Sequence, residues 1–449
     1  MILLKQPIWV RYMLLNRILF NIQNLLSVIY KNSYFLQNID KLIFVNILFV
    51  ILFSGFASSD ILGYLAICSI FLTIVKLITK PNEKIYLSIS DKFLLIYFLT
   101  VLVSVAGSSL LMLSFKGFIK TLTYIGFYLS FINYLKDNRK NLKYFLIAIG
   151  CVVIGESFVA IKQNFMSVSE ISGWQDVSHL NPEEVMTRVY GALKPYNPNL
   201  FGGYMLSALP ATLIFIFLPL VNKHFKTALC GFGVFILSVI SVLLTGCRGA
   251  YIGLFFQLIF LTLITYKFLK PYYKKLFSVL ISCFVLASSV LLISVSSLRA
   301  RVLSIFAMRS DSSNSFRFNV YHSSLDMFRD NWLLGIGVGN QNFREIYGLY
   351  MKTGFDALSS YNIYLETAVE SGIFALITFL GFLGVNISRA LHYINKRKNV
   401  NSLYLIITIA SLIGILIHGF VDTVFFRPQI QFIFWIMIGI IRVITVPRR

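Results

Sequence analysis

Four arginines in this chain stand where chemistry could be done. Arg188 lies in RVYGALKPYNPNLFGGY, Arg248 in the turn LTGCRGAYIGL, Arg317 in SSNSFRFNVYHSSL and Arg427 in DTVFFRPQ. Each stands beside an apolar run, and a guanidinium held in hydrocarbon is costly. Outside hydrocarbon it presents a planar fork that suits phosphate or carboxylate. Two readings fit: an interfacial arginine snorkelling to lipid phosphates, or an anion-binding group in an outward-facing cavity. Four such residues, all on the side where a positive-inside topology calls for no arginine, favour the second. Tyr361 and Asn362 stand at the mouth of a later apolar run, and Glu366 and Glu370 follow, one helical turn apart on one face. The two glutamates are expected to pair with arginine; a proton-accepting pair or a solvated pair are the alternatives. Asp422 and Arg427 bracket one turn and can pair with each other. GIGVGN (Gly335, Gly337, Gly339) lacks both the GxGxxG spacing and a preceding strand, so a tight turn is expected rather than a nucleotide loop. His322 reads as a surface residue. No Ser/His/Asp constellation and no metal-ligand spacing occurs, so neither cofactor nor metal is expected.

The elements that position these residues are apolar helices. Of 449 residues, 57% are hydrophobic and only 13% charged, far more apolar sequence than a soluble core needs. An all-α, polytopic membrane helical bundle follows. Twelve spans are expected, roughly 42–58, 60–79, 92–113, 114–135, 142–163, 199–221, 225–244, 249–269, 276–296, 364–387, 402–422 and 428–446. Pro210 should kink the sixth. The net charge of +22 is assigned to topology and not to nucleic acid, because basic stretches such as KPNEK, KDNRKNLK and YKFLKPYYKK fall on every second junction. That alternation predicts a multi-pass inner (plasma) membrane protein with both termini cytoplasmic. Residues 1–41 form an N-terminal cytoplasmic interfacial segment, 42–163 the first transmembrane helices, 164–198 a periplasmic loop, and 199–449 a second membrane domain. A large periplasmic loop, 297–363, lies between spans nine and ten and is too long to lack helices of its own. In it Phe316, Val320, Leu325 and Phe328 predict an amphipathic helix on the outer membrane surface. The five cysteines show no paired spacing and read as small core residues.

PYNPNLFGGYML, LTGCRGAYIGL, SSNSFRFNVYHSSLDMF, NWLLGIGVGNQNFREIYGLYM, ALSSYNIYLETAVESGIFAL and HGFVDTVFFRPQIQFIFW, in that order over about 190–440, resemble the cyanobacterial IctB family linked to bicarbonate transport. They also resemble the broader O-antigen ligase and polymerase (Wzy-type) superfamily. The ligase resemblance implies metal-independent glycan transfer from an undecaprenyl-diphosphate carrier at the periplasmic face. It places arginines at Arg248 and Arg317 and a histidine base where this chain has Tyr361, before Asn362. The serine that precedes the first of these arginines in the superfamily is Cys247 here. A phenol is a poor base at neutral pH, and the IctB pattern also has tyrosine there. The resemblance therefore implies first an inorganic-carbon carrier whose partners are the bilayer and a small oxyanion. The alternatives are a ligase or polymerase gripping a lipid-linked glycan diphosphate, and a non-catalytic membrane scaffold. Arg188, Arg248, Arg317, Tyr361, Asn362 and Arg427 would bind the anion or substrate, with Glu366, Glu370 and Asp422 supporting them; in a transferase Arg248, Arg317 and Tyr361 would carry the catalysis.

Overall fold

The computed structural model describes residues 8–84, 88–166 and 186–446, with side chains from 16 onward. The expected start and end of the chain, 1–7 and 447–449, and the middle of the 164–198 loop lie outside the described residues. Among them the chain is helical throughout: α1 (Ile8–Asn32), α2 (Tyr34–Gln37), α3 (Ile39–Phe53), α4 (Ser59–Thr79), α5 (Ile89–Ala106), α6 (Leu111–Asp137), α7 (Leu142–Asn164), α8 (Pro198–Ala208), α9 (Ile214–Val221), α10 (Phe225–Leu244), α11 (Arg248–Phe268), α12 (Pro271–Ser294), α13 (Ser296–Leu303), α14 (Ser312–Asp330), α15 (Asn340–Tyr347), α16 (Ile363–Lys396), α17 (Val400–His418) and α18 (Pro428–Thr445). Ten helical segments are long and apolar enough to cross a membrane, two fewer than the twelve expected spans. At the first expected span α3 is only 15 residues long. At the fourth, α6 carries Lys116, Lys120, Lys136 and Asp137 among its apolar residues. The sixth span does bend at Pro210: α8 passes through a 3-10 turn, Leu209–Leu213, before α9 resumes.

The junctions predicted to share one side do share one. Val189 N–H bonds to Leu244 O (3.2 Å), Ile363 N–H to Gly419 O (2.8 Å), and Ser108 Oγ donates to Ile336 O (2.8 Å). With Arg301 Nε donating to Gly246 O, these contacts tie the 186–197, 245–247, 295–362 and 419–427 connections and the α5–α6 turn into one face, called here the loop face. The opposite face carries its own charges. Lys76, fully buried, meets Asp40 at 2.9 Å, with Glu83 and Asp137 at 3.8 Å each. There α1 is fastened by Gln23, whose amide donates to Leu77 O and Glu83 O. A buried Asp91–Arg442 pair (2.9 Å) staples α5 to α18.

Helix starts on the loop face follow from their caps. Asn197 caps α8, with Pro198 filling the first turn, where its missing N–H costs nothing. Asp311 caps α14 and Asn362 caps α16. α16 is broken at Gly372, whose φ of 78° is open to glycine. The freed backbone groups are met by the segment after α14: Ile373 N–H donates to Trp332 O (2.9 Å) and Ile336 N–H to Val369 O (3.0 Å). The large loop is thus inserted into the bundle and does not lie over it. α14 is helical as expected, but Leu325 is exposed; Phe316, Val320, Met327 and Phe328 make its packed stripe against α15 and α16. The cysteine expectation fails for four of the five. Cys68, Cys151, Cys230 and Cys283 lie on the exterior of the bundle, where lipid accepts a small apolar side chain; only Cys247 is buried.

Candidate functional site

Three of the four sequence-predicted arginines meet on the loop face. Arg188, 4% exposed, donates through Nε to Thr245 O (2.9 Å) and through Nη2 to Asn199 Oδ1 (2.8 Å). Arg248 opens α11, and its three contacts all go through Nη1: Asp311 Oδ1 at 2.9 Å, Ser304 O at 3.2 Å and Ser304 Oγ at 3.4 Å. Nη2 and Nε of Arg248 have no hydrogen bond among the described residues, so half of the fork remains for a ligand. Arg317 Nη2 lies 3.7 Å from Asp422 Oδ2, its Nη1 donates to Ser313 Oγ (2.9 Å), and its buried Nε has no hydrogen bond among the described residues. Asp422 joins the two halves. Its Oδ2 accepts from Asn199 Nδ2 (3.2 Å), and its Oδ1 from the N–H groups of Thr423 (2.7 Å) and Val424 (3.2 Å).

A fourth guanidinium in the group, Arg301, was missed in the sequence. Its Nε donates to Gly246 O (2.6 Å) inside the turn that sets Arg248. The signal was present, an arginine in SLRARVL on the same side as the others, but nothing local set it apart from an ordinary charged residue of α13. Burial, with Arg188 and Arg248 alongside, pushes Arg301 down to about 10. That still leaves it charged at neutral pH. Burial likewise lowers Arg188, with Arg248 and Arg317 adding to the effect. Among the described residues two of the four guanidinium groups pair with carboxylates, Arg248 with Asp311 and Arg317 with Asp422, in a partly buried site. An additional anion is what such a field favours.

Asn199 and His418 were also missed. His418 ends α17, fully buried, with Nε2 3.5 Å from Cys247 Sγ and Nδ1 without a hydrogen bond among the described residues. Burial, the largest single influence, raises the Cys247 thiol; the hydrogen bond and charge of His418, with Arg188 behind them, together bring it below its ordinary value. A histidine at the end of an apolar run and an asparagine behind Pro198 have no periodicity to mark them.

Tyr361 does line the cluster. Its ring lies 5.6 Å from the Arg317 guanidinium and edge-on to Phe316 at 5.7 Å. Its φ is +52°, uncommon for a non-glycine residue. Burial, then Asp422, raises its phenol above the usual value, so it remains protonated at neutral pH. It is placed to donate and not to act as a base.

The other expected residues are placed elsewhere. Asn362 is occupied as a cap: Oδ1 accepts from Tyr364 and Leu365 N–H, and Nδ2 donates to Phe420 O (3.1 Å). Arg427 is exposed at the start of α18 and makes no ion pair with Asp422, whose partner is Arg317. The turn between them directs the two side chains apart. Glu366 and Glu370 do not pair with arginine. Glu366 Oε2 accepts from Ser360 N–H (2.5 Å) and Glu370 Oε1 from Gly339 N–H (2.8 Å), because the inserted loop leaves its own N–H groups pointing at α16. GIGVGN is a turn, as expected. Gly335, Gly337 and Gly339 all have positive φ, and the N–H groups of Gly337, Val338 and Gly339 are spent on Ser104, Ser114 and Glu370.

Residues 233–380 match a family model described as O-antigen ligase. Comparison with curated proteins found no match. The O-antigen ligase match runs from α10 into α16 and contains Arg248, Arg301, Arg317 and Tyr361. Arg188, Asn199 and Asp422 lie outside it in sequence and reach it through the contacts above. The chain is a multi-pass membrane protein whose matched, O-antigen ligase-like stretch supplies three of the four clustered arginines.

Proposed function

We propose that the protein transfers a glycan from a polyprenyl-diphosphate carrier to an acceptor hydroxyl at its loop face, which the charge pattern makes the periplasmic one. The observation that carries this is the arginine group, and above all the unspent side of Arg248. A diphosphate offers several anionic oxygens, and planar guanidinium forks match them. Arg188 and Arg301 lie close to Arg248, and Arg317 close to Arg188, and the family match supports this chemistry over carriage of bicarbonate, the first reading of the sequence. In the reaction the acceptor oxygen bonds to the anomeric carbon as its bond to the diphosphate oxygen breaks. The diphosphate leaves with the electron pair, and its growing charge is what the arginines stabilise. The acceptor proton goes to Asp422, the carboxylate of the site nearest Arg317 and Tyr361; the Tyr361 phenol donates a hydrogen bond. Asp422 thus takes the role that histidine has in the resembling ligases.

The test is deletion of the gene followed by two measurements, the surface-polysaccharide profile and uptake of labelled bicarbonate. The expected result is an altered polysaccharide profile, restored by the wild-type chain and not by Arg248→Lys, with uptake unchanged. Lost uptake with an unchanged profile overturns the proposal in favour of transport.

A further inference from the structure

On the other side of the α16 N-terminus from the arginines lies a cavity of about 80 Å³. It is walled by α6, the Gly335–Asn340 turn, α16 and the first turns of α18. At 10–15 Å³ per water it holds about five to eight waters, room for one saccharide ring. Its polar lining includes Glu366, Glu370 and Lys120, and its apolar lining Tyr97, Phe379 and Trp435. The two carboxylates are fixed from behind by Ser360 N–H and Gly339 N–H. Glu370 Oε2 has no hydrogen bond among the described residues. Trp435 is fixed too: its indole N–H donates to Gln431 Oε1 (2.8 Å). Held acceptors beside held aromatic faces suit sugar hydroxyls and the C–H face of a sugar ring.

The surroundings of the mouth select the kind of molecule. Lys120 and Asn340 are exposed at the rim. Beside them α6 turns Phe115, Ile119 and Leu122 outward, 44–48% exposed, an apolar strip that belongs against acyl chains. The segment 359–361 is the partition from the arginine cluster. Ser359 bonds to Thr423 (2.6 Å), Ser360 to Glu366, and Tyr361 faces Arg317.

We propose that this cavity is a lateral site for a membrane glycolipid, with its sugar between Glu370 and Trp435 and its chains along α6. Its role as the acceptor's place rests on the glycan-transfer reading; binding does not. The test uses the full chain in phosphatidylcholine nanodiscs. Trp9→Phe, Trp174→Phe and Trp332→Phe leave Trp435 as the reporter among the four tryptophans. Monoglucosyl-diacylglycerol, diacylglycerol and phosphatidic acid are titrated separately at low mole fraction while Trp435 emission is followed. Only the glucolipid is expected to give a saturable change. Glu370→Gln still accepts from Gly339 N–H but turns an amide toward the sugar. It should raise the half-saturating fraction about tenfold, the loss of one charge-assisted hydrogen bond, and leave binding of inorganic diphosphate unchanged. No response to glucolipid, an equal response to diacylglycerol or phosphatidic acid, or an unshifted Glu370→Gln titration overturns the assignment. Glucolipid binding with no glycan transfer would refute the proposed reaction and leave this site standing.

Discussion

Arg248→Lys separates the hold of the site on substrate from its hold on the fold. Arg248 meets the protein through Nη1 alone, at Asp311 and Ser304. A lysine ammonium can keep the ion pair with Asp311, the two side chains being 8% and 17% exposed, so the exchange leaves no buried charge unpaired, the change that would cost about 3–5 kcal/mol. What it cannot supply is the second side of the fork, Nη2 and Nε. If one charge-assisted hydrogen bond to a diphosphate oxygen is lost, the cost is about 1.5–3 kcal/mol. At about 1.4 kcal/mol per decade, kcat/KM falls roughly 10- to 150-fold. The loss falls on kcat to the extent that the bond strengthens as charge develops on the leaving group. The assay is transfer from a purified undecaprenyl-diphosphate glycan to acceptor in detergent or nanodiscs, with a thermal melt of the same preparation. Arg329→Lys is the control, since Arg329 is 75% exposed and among the described residues pairs only with Asp326; it should change nothing. The reasoning is refuted if Arg248→Lys keeps kcat/KM within about twofold of wild type. It is also refuted if activity and melting temperature fall together, because the residue would then be a structural brace.

Asp422→Asn keeps an oxygen for Thr423 and Val424 N–H but removes the charge; transfer should drop at least about 100-fold, while a melt within a few degrees shows that the fold survives. Tyr361→Phe should leave transfer within about threefold, because its hydroxyl accepts no proton in the proposed step; complete loss of activity would make the phenol essential and remove Asp422 from that role. Tyr361→His should preserve or raise transfer, since imidazole adds a base and histidine tolerates this backbone better than most residues. Gly337→Ala sets a Cβ against Ser114 Oγ and 2.6 Å from Ser108 Oγ at a φ of +96°, so it should cost at least about 2 kcal/mol, read as a lower melting temperature or failed expression. For orientation, cysteine at Ser312 should react with an impermeant thiol reagent in intact cells and cysteine at Lys398 should not; the reverse labelling would place the loop face in the cytoplasm.

The sequence by itself determined the fold class and which junctions share a side. Both come from one-dimensional quantities, the length of apolar runs and the sign of charge between them, and hydrocarbon leaves few alternatives to helices that close their own hydrogen bonds. It determined the local devices as well: the bend at Pro210, the turn at Gly335–Gly339, the helix in SSNSFRFNVYHSSL. It also singled out Arg188, Arg248 and Arg317, because arginine on that side of a membrane lacks a topological reason. What it could not determine is partnership. Asp422 was paired with its neighbour Arg427, but bonds to Arg317 and Asn199, from α14 and α8. Glu366 and Glu370 were given to arginines, but hold backbone N–H groups of a loop that inserts beside the break at Gly372. Arg301 joined the site only when α13 folded against the Gly246 turn. Hydropathy and charge sum along the chain, whereas a guanidinium or carboxylate acts within about 4 Å, and that short range is set by which helices the bundle brings side by side.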